Sequence, residues 1–318
     1  MNELEIIIPA YNSQDTIIIT LDSIATQKNL PTYHVTIVND CGNNYKQIVD
    51  YYKEKINIDE IKTPENIGPG GARQYGIDNT NSAYLVFIDS DDYFYDEYSV
   101  SNLYNKIKKS NADLVLSKFI YERDGEIKEI VHDNVWLHGK IYSRLFLQKN
   151  NIRFNNSRAN EDNGFNNLIF LLKPGIALSN DITYVYKENP NSITRKNNRE
   201  YKLSGLEGYA YNINWAIEEA EKRNAEIKDL AWKIMDGLLL MYESYNNLYN
   251  NPDIDNIILW SKELYKKYKK YKNIIKDIEK EMIETANIEK KKITFNEFTS
   301  LIEKIVKWKC KNTTTRTF

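Results

Sequence analysis

The residues best suited to chemistry are Asp89-Ser90-Asp91-Asp92, which follow the apolar run 84–88. A buried strand would deliver these carboxylates at a sheet edge. Alternate residues of an extended stretch point the same way, so Asp89 and Asp91 are expected to converge. Carboxylates so placed can hold a hard divalent cation, Mn2+ or Mg2+, and leave coordination positions for a diphosphate. The alternative is an acidic turn capping the next helix; the strand-end setting favours metal and nucleotide.

Asp40 ends a second β-branched run, 34–38, and either forms an Asx-turn or accepts a bond from a base or ribose. Gly68-Pro69-Gly70-Gly71-Ala72-Arg73 is glycine-rich but lacks the Gly-Lys-Ser/Thr of a P-loop, and Arg73 stands where the dinucleotide fingerprint needs its third glycine. It reads equally as a tight turn opening a helix and as a device that brings Arg73 to a nucleotide. Glu161-Asp162 lies just before a helical pattern. Spacing alone favours a cap there, with a general base as the sharper reading. His34 and His132 read as structural and surface residues. His138, in Trp136-Leu137-His138-Gly139-Lys140, reads first as structural and second as a metal or phosphate contact, with Lys140 helping to neutralise charge.

The elements that must position these residues alternate. Runs at 4–8, 34–38, 59–63 and 84–88 read as strands, and 17–25, 48–55 and 72–77 as helices, the first capped by Ser13. Such alternation predicts an α/β fold with a doubly wound, mostly parallel sheet, and ligands beyond the carboxyl ends of its strands. A further strand at 113–119, a hairpin at 123–126, a capped helix at 160–172 and a strand at 182–186 extend the pattern. Beyond about residue 200 the segments 206–225, 227–249, 254–271, 274–286 and 295–308 all read as helices. The expected domains are therefore 1–200 and an all-helical 201–318.

With 318 residues, about two domains are expected. The 43 Lys+Arg against 45 Asp+Glu give a net charge of −2, which excludes a globally basic nucleic-acid coat. Two distant cysteines, Cys41 and Cys310, form neither a disulfide framework nor a zinc site of their own. The acidic start and the absence of about 18 consecutive apolar residues point to a cytoplasmic protein. Residues 261–318 carry 16 Lys/Arg against 8 Asp/Glu. Within them, the Tyr-interleaved lysines of 262–276 read as a solvated helix face, or as a contact for anionic lipid or nucleic acid.

Taken in order, Ile6-Ile7-Ile8-Pro9-Ala10-Tyr11-Asn12, Ile37-Val38-Asn39-Asp40, Asn66 to Arg73, Phe87-Ile88-Asp89-Ser90-Asp91-Asp92 and Glu161-Asp162 resemble the motifs of a family 2 glycosyltransferase with the GT-A (Rossmann-like) fold. The resemblance spans about residues 3–195, with Trp136 to Arg144 and Asn189 to Thr194 matching later family elements. It implies an inverting enzyme with a nucleotide-sugar donor, a UDP-sugar first, and Mn2+ or Mg2+. It places Pro9, Ala10 and Tyr11 around base and ribose, Asp40 on uracil, Arg73 near the nucleotide, and Asp89 on ribose. Asp91 becomes the metal ligand, with Asp89 and His138 as candidates beside it. Ser90 and Lys140 would touch the donor, Asp92 would support the metal or a donor hydroxyl, and Asp162 would be the base with Glu161 beside it. Asn39-Asp40-Cys41-Gly42 departs from the commoner Asp-Asp-Gly-Ser by one acid.

The acceptor is expected to be a hydroxyl on a glycan, teichoic acid, lipid or protein, with nucleic acid less favoured. The helical end could recognise it, pair two copies of the chain, or rest on the inner membrane face. Two rivals stand beside this reading. A sugar nucleotidyltransferase would want a basic glycine-rich loop directly after the first strand, which is missing. A non-catalytic nucleotide- or sugar-binding module would have no need of both the acidic run and the Glu-Asp pair.

Overall fold

The computed structural model describes residues 2–123, 125–188, 199–249, 254–285 and 292–313, and falls into two compact units, Met1–Asn197 and Asn198–Phe318. The first is an α/β unit. Its strands are β1 (Leu4–Ala10), β2 (Tyr33–Asn39), β3 (Ile58–Lys62), β4 (Tyr84–Phe87), β5 (Tyr93–Phe94), β6 (Leu114–Arg123), β7 (Glu126–Val131), β8 (Lys140–Ser143) and β9 (Ile176–Tyr186). Its helices are α1 (Ile17–Ala25), α2 (Lys46–Tyr52), α3 (Gly68–Asp78), α4 (Ser99–Ser110), α5 (Arg144–Lys149) and α6 (Glu161–Leu171).

One sheet runs β3-β2-β1-β4-β8-β6-β9-β5, with β7 paired to β6. From β3 to β4 every pairing is parallel. Every residue of β1 is buried, as a strand covered on both faces requires, and this explains the apolar run from Ile6 to Ala10; the buried Glu5 is held by His34 and Thr36. Antiparallel pairings enter with β8, which joins β4 to β6. Since β6 thus runs in the same sense as β4, the strand ends after Ala10, Asn39, Phe87, Arg123 and Tyr186 all lie along one edge. Ile6, Ile8, Leu21, Ile37, Val86 and Ile141 anchor the core behind that edge.

Several expected boundaries move. Ser13 does not cap α1 with its side chain; its hydroxyl sits 2.9 Å from that of Tyr45, tying the β1 loop to α2. The strand expected at 182–186 begins at Ile176, because its first residues pair with Leu114–Leu116. The hairpin joins β6 to β7 with Arg123 opposite Glu126. Asp124 and the Asn189–Thr194 motif lie outside the described residues.

The second unit is helical: α7 (Arg199–Lys222), α8 (Ile227–Asn247), α9 (Ile254–Trp260), α10 (Lys262–Lys270), α11 (Lys272–Thr285) and α12 (Phe295–Thr313). The single helix expected at 254–271 is two, parted at Ser261, whose buried hydroxyl bonds back to the Ile257 carbonyl at 2.7 Å. In α10, Leu264, Tyr265 and Tyr268 are buried, while Lys267 Nζ reaches Glu218 (2.8 Å) and Lys270 Nζ reaches Glu221 (3.0 Å), both on α7. Among the described residues no helix is long and apolar enough to cross a membrane.

Candidate active site

The site lies where β2, β1 and β4 end side by side, at the point where the strand order reverses around β1, the usual ligand crevice of such sheets. Pro9 and Ala10 are the buried last residues of β1, while Tyr11 is exposed beyond it. Asp40 is buried and serves the fold. Its Oδ1 accepts from the Ile67 N–H (2.8 Å) and the Thr63 hydroxyl (3.1 Å), and its Oδ2 from the Gly68 N–H (2.8 Å). Helix α3 has no side-chain cap of its own, so Asp40 satisfies its first donors from across the sheet edge. Gly68 turns into that helix at φ +80°, where only glycine is relaxed.

Helix α3 carries Arg73 into the centre. The side chain is buried, with Nη2 2.5 Å from Asp89 Oδ1 and Nη1 2.7 Å from Glu161 Oε1. One guanidinium therefore joins the end of β4 to the start of α6. Its Nε finds no acceptor among the described residues. An orphan buried donor costs about 1–3 kcal/mol, so this N–H is suited to an oxygen of a bound ligand. Glu161 approaches closely only because residue 70 is glycine: a Cβ there would stand 2.7 Å from Glu161 Cγ.

Asp89 and Asp91 do not converge as alternate residues of a strand. Residues 89–92 form a turn closed by the Asp92 N–H on the Asp89 carbonyl (3.2 Å), and Thr20 on α1 holds it by donating to the Asp92 carbonyl (2.7 Å). The turn swings Asp92 inward instead. Ligand atoms of Asp89, Asp92 and His138 all lie within 4.8 Å of one another; Asp91 is outside that group, and Ser90 is half-buried at the turn's tip. Two carboxylates suit Mn2+ or Mg2+ in charge, and the imidazole nitrogen favours Mn2+ over Mg2+, which prefers oxygen donors.

The electrostatics suit the same ion. Burial and the neighbouring Asp89 and Asp91 charges push Asp92 well above the usual carboxylate range. Burial raises Asp89 too, but the Arg73 guanidinium outweighs it and holds Asp89 low. Burial pushes His138 down to about 4, so its ring is neutral and has a lone pair free for coordination. The ring stacks on Tyr184 at 4.5 Å. Tyr184 in turn donates its hydroxyl to Asp92 Oδ2 (2.5 Å) and accepts the Asp89 N–H (3.3 Å).

Glu161 and Asp162 are not ahead of the helix but its first two residues. Burial and adjacent Glu161 raise the Asp162 carboxyl to about 7, in the range that suits a general base. Lys140, expected at the donor, is buried, with Nζ 2.5 Å from the Trp136 carbonyl and 3.8 Å from Asp133 Oδ1. Burial lowers it to about 8.

An acidic turn, a buried arginine clamp and a near-neutral helix-start carboxylate thus share one sheet edge. Residues 5–160 match the family model described as Glycosyl transferase family 2. That stretch, most of the α/β unit, belongs to that family. Among curated relatives, the glycosyltransferase GlyA of Streptococcus pneumoniae is 28% identical over 227 residues, 61% of this chain and 32% of its own length. The poly(ribitol-phosphate) beta-N-acetylglucosaminyltransferase TarS of Staphylococcus aureus is 29% identical over 203 residues, 58% of this chain and 35% of its own. The chain thus spans about a third of the length of these relatives. The structure of S. aureus TarS 1-349 in complex with UDP-GlcNAc superposes with a TM-score of 0.62 at 20% identity, covering 86% of this chain and 82% of that one. A mannosyltransferase of Pyrobaculum calidifontis in complex with GDP-Man and Mn2+ gives 0.51 at 13% identity, over 68% and 64%. At these identities the family 2 chain shares their GT-A fold.

Tyr184, Thr20 and Gly70 escaped the sequence reading. Tyr184 is one β-strand tyrosine among 24 tyrosines in the chain, and only the β6–β9 register aims it at Asp92. Gly70 had a visible signal in the glycine run, but its packing partner lies 91 residues away.

Proposed function

We propose that this family 2 chain transfers a sugar from a nucleotide-sugar donor, a UDP-sugar, with inversion, to a hydroxyl of a cell-surface glycopolymer. The observation that carries the reading is the arginine clamp. Through Arg73, the carboxylate that would contact donor, Asp89, is held at a fixed distance from the helix that presents Asp162. The TarS relative supports a UDP-sugar and a glycopolymer acceptor, since its names record UDP-GlcNAc and poly(ribitol-phosphate).

In this reading Tyr11 lies over the base, Pro9 and Ala10 floor the ribose pocket, and the Arg73 Nε–H donates to a donor oxygen. Asp40 acts through the α3 turn, which shapes the nucleotide pocket. Asp89, Asp92 and His138 would hold the cation, with Asp91 on the same turn. A bound Mn2+ or Mg2+ would offset the charge that grows on the departing diphosphate. Asp162 takes the proton of the acceptor hydroxyl as its oxygen attacks the anomeric carbon from the face opposite the diphosphate. Lys140 acts at one remove by fixing the Trp136 carbonyl.

The test is UDP release from a panel of UDP-sugars, with Mn2+ and with chelator. One donor should be hydrolysed slowly and only with metal, and Asp92→Asn, Asp91→Asn and His138→Gln should each weaken Mn2+ binding, by about tenfold or more for the two converged residues. Failure of UDP with Mn2+ to raise the melting temperature would sink the uridine assignment.

A further inference from the structure

We propose that Tyr121, Trp136 and Tyr186 form a platform on which a pyranose ring of the acceptor lies while its hydroxyl is presented to Asp162. The proposal rests on the glycosyltransferase reading and names the acceptor class that reading leaves open.

Tyr121 and Tyr186 are register partners at the carboxyl ends of β6 and β9, one row beyond the Phe119–Tyr184 pair. Their rings are 5.2 Å apart and inclined by only 13°. The Trp136 ring is 5.6 Å from Tyr121 at 10° and 6.5 Å from Tyr186 at 14°. Three rings thus share nearly one orientation, each packed against the core and partly exposed. Most other aromatic contacts of this unit are edge-on or steeply tilted, the geometry of core packing. Three parallel, part-exposed rings stacked on one another instead offer the outer π face of the stack.

Two links tie this surface to the chemistry. His138, of the metal-ligating group, lies 5.2 Å from Tyr186 and 5.8 Å from Trp136, so a single imidazole separates the platform from the cation site. On the other side Asn166, one turn after Asp162, donates to the carbonyls of Val135 (2.7 Å) and Trp136 (3.0 Å). The helix that presents the base therefore also sets the height of the Trp136 ring. The buried Lys140 ammonium fixes the same carbonyl from below.

The π face carries negative charge and attracts weakly positive C–H groups. A pyranose has a flat face of axial C–H bonds that matches it. A linear polyol phosphate has no such face, because every carbon carries a hydroxyl and rotates freely. The platform therefore selects a ring-bearing acceptor terminus over an open-chain one.

The experiment follows the Trp136 indole N–H resonance, assigned by its loss in Trp136→Phe, with Mg2+ and UDP present. Methyl β-D-glucopyranoside and ribitol are titrated in parallel to the same concentration. Saturable movement with the pyranoside and none with ribitol is expected. In Tyr121→Leu/Tyr186→Leu the pyranoside should bind about tenfold more weakly, while UDP still raises the melting temperature and so reports an intact fold. Equal response to ribitol, or no response to the pyranoside while UDP binds, overturns the platform and leaves the nucleotide-sugar reading standing. If UDP does not bind, that reading fails by itself. The pyranoside titration without nucleotide then decides the platform on the same terms.

Discussion

At the scale of single residues, Asp162 and its neighbour work as a pair. Burial and the Glu161 charge both disfavour the ionised form, and Arg73 opposes them. In its proposed role as base Asp162 must be ionised to act, so kcat/KM should fall as pH drops through about 7. Glu161→Gln removes one of the raising charges and frees Arg73 from its other partner. Both changes favour the Asp162 carboxylate, so the acidic limb should move to lower pH even as the maximal rate declines. A pH–rate profile of the variant checks this; a limb that stays in place would show that Glu161 is not what sets Asp162.

The same scale shows what could be read from the chain. Asp89, Arg73 and Asp162 were legible because strand ends and helix starts concentrate polar groups, and their order along the sequence is distinctive. The choice between Asp91 and Asp92 was not. It depends on whether residues 89–92 run on as a strand or turn, and a hydroxyl from α1 and another from β9 decide that. Asp40 was found and expected at the base of the donor; that its oxygens accept from backbone donors more than 25 residues later was not legible, since nothing local shows it.

At the scale of elements, the contact between α3 and α6 is the joint that fixes the clamp. Gly70→Ala would put a methyl 2.7–2.9 Å from the Glu161 side chain. The two helices must separate, at a cost of about 1–3 kcal/mol. Arg73 then loses its grip on Glu161, so activity should fall more than the lowered melting temperature accounts for. Ala at position 205, where a Cβ meets nothing, is the control.

A second joint ties β1, β2 and β3 through charge. His34 bonds Glu5 on β1 (2.8 Å) and Asp59 on β3 (3.3 Å), and the Glu5 bond foremost raises its pKa despite burial. A histidine raised in the folded state stabilises fully below its unfolded pKa of about 6.5, and that contribution fades as pH climbs through the folded value. The melting-temperature gap between the wild type and His34→Gln should therefore be wider at pH 6 than at pH 9. Period-2 and period-3.6 patterns revealed the strands and helices of this half well. They missed β5 and β8, which are short and exist through pairing with distant partners, and pointed to β7 only through the hairpin that leads into it.

For the whole molecule, charge is divided between the two units. The α/β unit has 21 Lys/Arg against 26 Asp/Glu, and the helical unit 22 against 19. The lysine excess at 261–318 thus shrinks to +3 once α7 and α8 are counted. Its lysines are also engaged: Lys266 pairs with Glu263, Lys267 with Glu218 and Lys270 with Glu221. Surface pairs such as Lys266–Glu263 and Lys270–Glu221 contribute little to stability, but each acid lowers the local positive potential that an anionic surface would feel. A polybasic segment gains about 1 kcal/mol per unopposed Lys or Arg at such a surface. With opposing acids in place, the chain should sediment only weakly with vesicles rich in anionic lipid at physiological salt. Glu218→Gln/Glu221→Gln releases Lys267 and Lys270 from their partners and should raise the bound fraction, in a manner that added salt reverses. Strong, salt-sensitive binding by the unmodified chain would mean that the lysines of α10 act outward as a group, and that their pairing with α7 gives way to the surface.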